Sequence, residues 1–168
     1  MKSWHAESGG GIEGLVCKEH EQPVPGGREV LVKVRANSLN ARELSVLRGT
    51  YPLPVKPDVV MCADGAGEVV ELGPGVTRVA IGDRIAAAMF PRWLGGRIDW
   101  EYAPQLGGSL DGMLTDFIVL HEDALVRVPE LRNNSIRRGI NELRQVHNAV
   151  TSGPKLRYIG KATDVTPT

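Results

Sequence analysis

The chain of 168 residues is poor in several things, and each shortage removes a class of protein. It has two cysteines, Cys17 and Cys62, too few for a disulfide framework. The opening residues, MKSWHAESGGG, hold no apolar run of the secretory kind, and no stretch approaches the ~20 apolar residues of a membrane span. A cytoplasmic location is the resulting expectation. Formal net charge is zero and aromatic residues make up 5% of the chain. Neither a basic surface nor basic–aromatic interleaving is present, so neither nucleic acid nor a membrane is expected as a partner. No internal repeat, no low-complexity segment and no Ser/His/Asp or Cys/His arrangement stands out.

What is present is ordinary for a globular domain with a real core: 42% hydrophobic and 24% charged residues. The zero charge hides an asymmetry. Residues 1–130 carry 13 basic and 18 acidic side chains, residues 131–168 carry 7 and 2. The sign change marks residues 131–168 as a segment of different character, an atypical basic tail. Asn133 to Ser135 can cap a helix through Ile136, Ile140, Leu143 and His147, and Leu156 to Ile159 reads as a short strand.

Most of the chain reads as strands and turns. Strands are expected near Lys2–Trp4 and from Leu15–Val16, with glycines 9 to 11 as a turn between them. Glu29 to Ala36 alternates, with Val30, Val32 and Val34 on one face and Leu31, Lys33 and Arg35 on the other, which predicts a half-buried strand. Asn37 to Asn40 reads as a turn whose last residue caps a short helix, Ala41 to Leu47, with Leu44 and Leu47 on one side. In Asp58 to Ile85, Gly73-Pro74-Gly75-Val76 suits a type II turn, because Pro74 presets φ and Gly75 tolerates φ > 0. Gly82-Asp83 is a second turn signal. Gly65-Ala66-Gly67 removes side chains where something approaches the backbone. It is not a dinucleotide fingerprint, since Val70 stands where a third small residue belongs and the Gly-Pro-Gly turn forbids the helix that must follow. A structural glycine turn is the expectation there. A lobe with Trp93, Trp100 and Tyr102 follows Phe90, then strands at Met113–Val119 and Ala124–Val128.

These landmarks together carry a resemblance. GAGEVVELGPGVTRVAIGDRI, with Pro25-Gly26, Glu29 to Val34, Ser38-Leu39-Asn40, Arg48 to Pro52, Asp111 to Phe117 and Val126 to Pro129, resembles the catalytic domain of medium-chain dehydrogenases/reductases, over about residues 1–130. The zinc-free quinone oxidoreductase/alcohol dehydrogenase-like branch is the most similar. The resemblance implies a mainly β (α+β) fold, a GroES-like partly open β-barrel with a few short helices. It also implies a zinc-free oxidoreductase that transfers hydride from NADH or NADPH, its NAD(P)H cofactor, to a quinone, enone or carbonyl substrate. In that family the cofactor is held mainly by a Rossmann domain. Residues 131–168 contain no G-x-G-x-x-G, and one βαβ unit alone needs about 30 residues. The Rossmann domain is therefore expected to be absent, the chain truncated and inactive by itself. The tail reads as an unrelated ending; Ser152-Gly153 and Gly160-Lys161 offer a second account, in which a Rossmann portion has been excised. The competing reading is a non-catalytic GroES-like fragment or interaction module that self-associates through an exposed barrel face.

The same resemblance assigns candidate site residues. Where zinc alcohol dehydrogenases place a cysteine ligand this chain has Asn40, and where they place His-Glu it has Ala63-Asp64, with Cys62 beside the ligand position. No metal is expected. Asn40 resembles an active-site amide that touches the substrate carbonyl or the nicotinamide, and it also reads as a helix cap. Glu43 matches an acidic position that braces the pocket, or is a solvated helix face. Tyr51 matches a pocket aromatic, or is core. Asp64 supports the pocket, or is a turn aspartate. Arg42 and Arg48 are candidates to face an anionic cofactor. Cys17-x-x-His20 has metal-like spacing without two further ligands. His5 and His121 look solitary.

Overall fold

The computed structural model describes residues 1–93, 95–98 and 103–129. The helix and strand expected in the basic tail lie outside these residues, as do Trp100 and Tyr102 of the lobe. In chain order the strands are β1 (Lys2–Ala6), β2 (Val16–Glu19), β3 (Glu29–Ser38), β4 (Val59–Val60), β5 (Asp64–Leu72), β6 (Arg84–Ala87), β7 (Phe117–His121) and β8 (Leu125–Arg127). Helix α1 spans Ala41–Leu47. The strands form two open antiparallel sheets, ordered β2-β1-β4 and β7-β3-β5-β6-β8. A mainly β, partly open barrel is the architecture.

β3 is an interior strand of the larger sheet, hydrogen-bonded to β5 on one side and β7 on the other. Its valines face the larger core as the alternation predicts: Val30, Val32 and Val34 pack with Val69, Ile85 and Met113. Each fully buried side chain of this kind contributes about 1.5–3 kcal/mol. Leu31 departs from the expected pattern. It is 1% exposed, not on an open face with Lys33 and Arg35, so β3 is covered on both faces over its first half. A register shift between Leu31 and Val32 falls at the same place. β3 also runs on through Asn37 and Ser38, where a turn was expected; the Asn37 amide is buried and donates to the Met113 carbonyl at 2.7 Å.

A smaller core joins Ala6, Val46, Leu47, Val59 and Met61 to Leu114. α1 turns Glu43, Val46 and Leu47 inward, so its buried face is rotated from the Leu44–Leu47 side expected, and Leu44 is only half-buried. Met113 and Leu114 are split between the two cores. The segment around them is not the continuous strand expected: the Thr115 N–H bonds to the carbonyl of Met113, two residues back, and regular pairing begins at Phe117.

Gly75 has φ 78, as the type II turn requires. Gly65 and Gly67 lie inside β5, in a strand and not in a turn. A Cβ on Gly65 would sit 2.6 Å from the Met113 Cβ, and one on Gly67 would overlap the Lys33 carbonyl oxygen. Close approach, not chain reversal, is what these glycines serve. Among the described residues no helix is long and apolar enough to cross a membrane.

Candidate active site

The end of β3 and the start of β5 meet at one rung, Ser38 opposite Asp64. Two residues beyond that rung the chain reaches Asn40, the N-cap of α1, in extended conformation with φ −117. The Asn40 Nδ2 donates to Asp64 Oδ2 across the sheet end. A carboxylate only accepts, so the amide nitrogen and not its oxygen must face Asp64. The nitrogen keeps a second N–H on an exposed residue.

Glu43 holds this pair in place from below. It is 4% exposed and closes a capping box with Asn40. Its Oε2 accepts the Asn40 N–H at 2.8 Å, while Oε1 accepts the Ala63 N–H at 3.3 Å and Arg42 Nη1 at 3.2 Å. One carboxylate therefore ties the segment bearing Asn40 to the segment bearing Asp64. Arg42 passes the network on: Nε donates to the Tyr51 hydroxyl at 3.0 Å and Nη2 to Gln105 Oε1 at 3.1 Å. The Tyr51 hydroxyl donates to the same Gln105 oxygen, so its proton is committed inside the protein.

All four expected site residues, Asn40, Glu43, Tyr51 and Asp64, thus belong to one hydrogen-bonded chain. Asp64 is the first residue of a strand, not a turn residue. Arg42, a candidate for an anionic cofactor, is spent on Glu43, Tyr51 and Gln105; Arg48 is exposed. Gln105 was missed by sequence reasoning. It is 1% exposed, and its only local signal is the glycine pair that follows: a Cβ on Gly108 would sit 2.8 Å from Arg42 Nη2.

Cys62 lies beneath the pair with φ 69, a left-handed conformation that costs a non-glycine residue about 1–3 kcal/mol. Gly107 presses on it, and the Met113 N–H donates to its carbonyl at 2.7 Å. Burial first, then the Glu43 and Asp64 carboxylates, push the Cys62 thiol pKa well up. The donor set at the zinc-ligand positions is thus an amide and a carboxylate bonded to each other and an alanine, with a buried thiol beside them. Zn²⁺ takes thiolate, imidazole or free carboxylate, and these residues do not fit it. The helix Ala41–Leu47 has its N-terminus occupied by Asn40 and the acidic Glu43, so that terminus offers no phosphate site.

Elsewhere, His5 is not solitary. Its Nε2 lies 2.8 Å from Ser3 Oγ and 3.1 Å from His20 Nε2, and its Nδ1 lies 2.9 Å from the Asp58 carbonyl and 3.3 Å from Asp58 Oδ1. The order resembles a nucleophile, a base and an orienting acid. Ser3, however, is 1% exposed in β1, where no substrate reaches it. His121 is not solitary either; its Nδ1 accepts the Asp123 N–H at 3.3 Å.

Comparison with known proteins agrees with the fold. Residues 26–130 match the model of the alcohol dehydrogenase GroES-like domain. The chain is similar to a zinc-type alcohol dehydrogenase-like protein of Schizosaccharomyces pombe, 39% identical over 124 residues, which are 71% of this chain and 35% of that protein. It is similar to a quinone oxidoreductase of Pseudomonas aeruginosa, 34% identical over 121 residues, 72% of this chain and 31% of that one. A crystal structure of an NAD-dependent alcohol dehydrogenase superposes with a TM-score of 0.64 at 30% identity, covering 77% of this chain and 40% of that one. The chain spans about a third of the length of the curated relatives it matches.

Proposed function

Because the chain belongs to the alcohol dehydrogenase GroES-like domain family, we propose that it supplies the acceptor-binding half of a zinc-free oxidoreductase site for a small carbonyl, enone or quinone. The observation that carries this reading is the Asn40–Asp64 pair, an exposed amide whose orientation is fixed by a carboxylate and whose backbone is fixed by Glu43. The second Asn40 N–H donates to the acceptor oxygen. Negative charge grows on that oxygen as the carbonyl is reduced, and a preoriented donor aimed at it is worth roughly 10²–10³ in rate. Leu39, 45% exposed beside Asn40, offers the apolar surface on which a ring would rest. Glu43, Arg42 and Gln105 act by holding the pair. A reduced nicotinamide supplies the hydride when bound, and its phosphates are held by segments other than the described ones.

The test is an amide-resolved NMR titration of the full chain with cyclohexanone, followed by calorimetric titration with NADPH and NADH. The expected result is a saturable shift of the Asn40 side-chain amide and of the backbone amides beside it, the backbone shifts being lost in Asn40→Ala. Shifts confined to other surfaces, or none, overturn the reading in favour of a non-catalytic module. Micromolar cofactor binding, about −8 kcal/mol, assigns the nucleotide site to this chain. No binding at millimolar cofactor assigns it to another chain or segment.

A further inference from the structure

We propose that Asp64 makes this site selective for charge, admitting neutral carbonyl compounds and turning away anionic ones, an inference that rests on Asn40 as the acceptor-binding amide. Asp64 meets the Asn40 amide, a neutral donor that satisfies one oxygen without cancelling the charge. No ion pair among the described residues includes it. The nearby cation, Arg42, is neutralised by Glu43 at 3.2 Å and turned toward Tyr51 and Gln105. The site therefore has a carboxylate at its mouth and, among the described residues, no cation paired with it. Burial is the main cause of the raised Cys62 thiol pKa; Glu43 and then Asp64 add to it and Arg42 opposes them.

Geometry makes the field unavoidable for a ligand. Two acceptors on the two N–H bonds of one amide nitrogen stand about 5 Å apart, given ordinary hydrogen-bond lengths. A carbonyl seated on Asn40 is thus a close neighbour of Asp64. A carboxylate, sulfonate or phosphate on the same small molecule lies a few ångströms further, where like charges near a protein surface repel by enough to cost roughly tenfold in affinity. The repulsion shrinks as salt shortens the screening length.

A matched pair of probes tests this on the full chain: methyl 4-oxocyclohexanecarboxylate and the free 4-oxocyclohexanecarboxylate, which share a ring and a ketone and differ by one charge. Affinities are read from the shift of the Asn40 side-chain amide at low and at 1 M salt. The expected result is about tenfold tighter binding of the ester at low salt, with the ratio narrowing at 1 M. In Asp64→Asn, which keeps an acceptor for Asn40 and loses the charge, the two probes bind alike. Equal affinities in the unsubstituted protein, or a ratio unchanged in Asp64→Asn, overturn charge selection while leaving the acceptor site standing. Binding of neither probe overturns both.

Discussion

Glu43 and Glu122 invite comparison because their partners are of the same kind. Each is a buried glutamate that accepts two backbone N–H groups and one arginine. Glu122 takes the N–H groups of Thr77 and Arg78, both at 2.7 Å, and Arg28 Nε at 2.8 Å. Glu43 takes those of Asn40 and Ala63, at 2.8 and 3.3 Å, and Arg42 at 3.2 Å. The arginines differ. The Arg28 side chain is 55% exposed, so that network ends in water; the Arg42 side chain is 13% exposed and hands its remaining nitrogens to Tyr51 and Gln105. Glu122 fastens loops: the turn after β5, the loop before β3 and the 3-10 turn before β8 all converge on it. Glu43 positions two polar residues that point outward. A carboxylate saturated by short bonds reads as structure. One whose network finishes on an exposed amide reads as support for a site.

The comparison can be broken most forcefully at Glu122. Glu122→Gln removes the charge from a fully buried position ringed by donors, and we expect Tm to fall by roughly 10 °C in a circular-dichroism melt. Acid sharpens the same point. The Thr77 and Arg78 N–H groups lower the Glu122 pKa from 4.5 to about 2. A lowered folded pKa means that the unfolded chain takes up the proton first. The stabilisation is therefore complete above about pH 4.5 and is lost as pH falls toward 2. Urea midpoints across that window should decline in the unsubstituted protein, with a shallower slope in Glu122→Gln. Glu43→Gln should cost less, about 1–3 kcal/mol in urea unfolding, and should also weaken ketone binding by releasing Asn40 from Ala63. If it proves as damaging as Glu122→Gln while leaving binding intact, the division between the two carboxylates is wrong. The smallest effect is expected at Asp64→Asn, within about 0.5 kcal/mol of the unsubstituted stability.

Much of the frame was legible because it is local. Valines at alternate positions marked β3, Asn40 with Ala41 to Leu47 marked the cap and helix, and Pro74-Gly75 marked the turn. The four site residues could be listed from motif positions, yet nothing in their spacing shows that Asn40 and Asp64 touch; that follows from the register that sets Ser38 opposite Asp64. Glu122 was illegible for a similar reason. It stands in His121-Glu122-Asp123, which reads as a charged surface triplet, and its donors come from 44, 45 and 94 residues away. The His5–His20 contact likewise depends on β1–β2 pairing, and Gln105 depends on a lobe whose sequence has no period. Leu31 failed the half-buried reading because alternation cannot tell an interior strand from an edge.

The rung at Ser38 and Asp64 is the last of the β3–β5 ladder, and the Asn40–Asp64 bond adds one more link made of side chains. Fraying there is the cheapest opening any sheet has, since an end rung has a neighbour on one side only. Here the frayed end and the disassembled site are one species. The rate at which the amides of these terminal residues trade hydrogen for deuterium would then report how often the amide and the carboxylate part company. A ligand bridging them would slow that trade without touching the middle of the sheet.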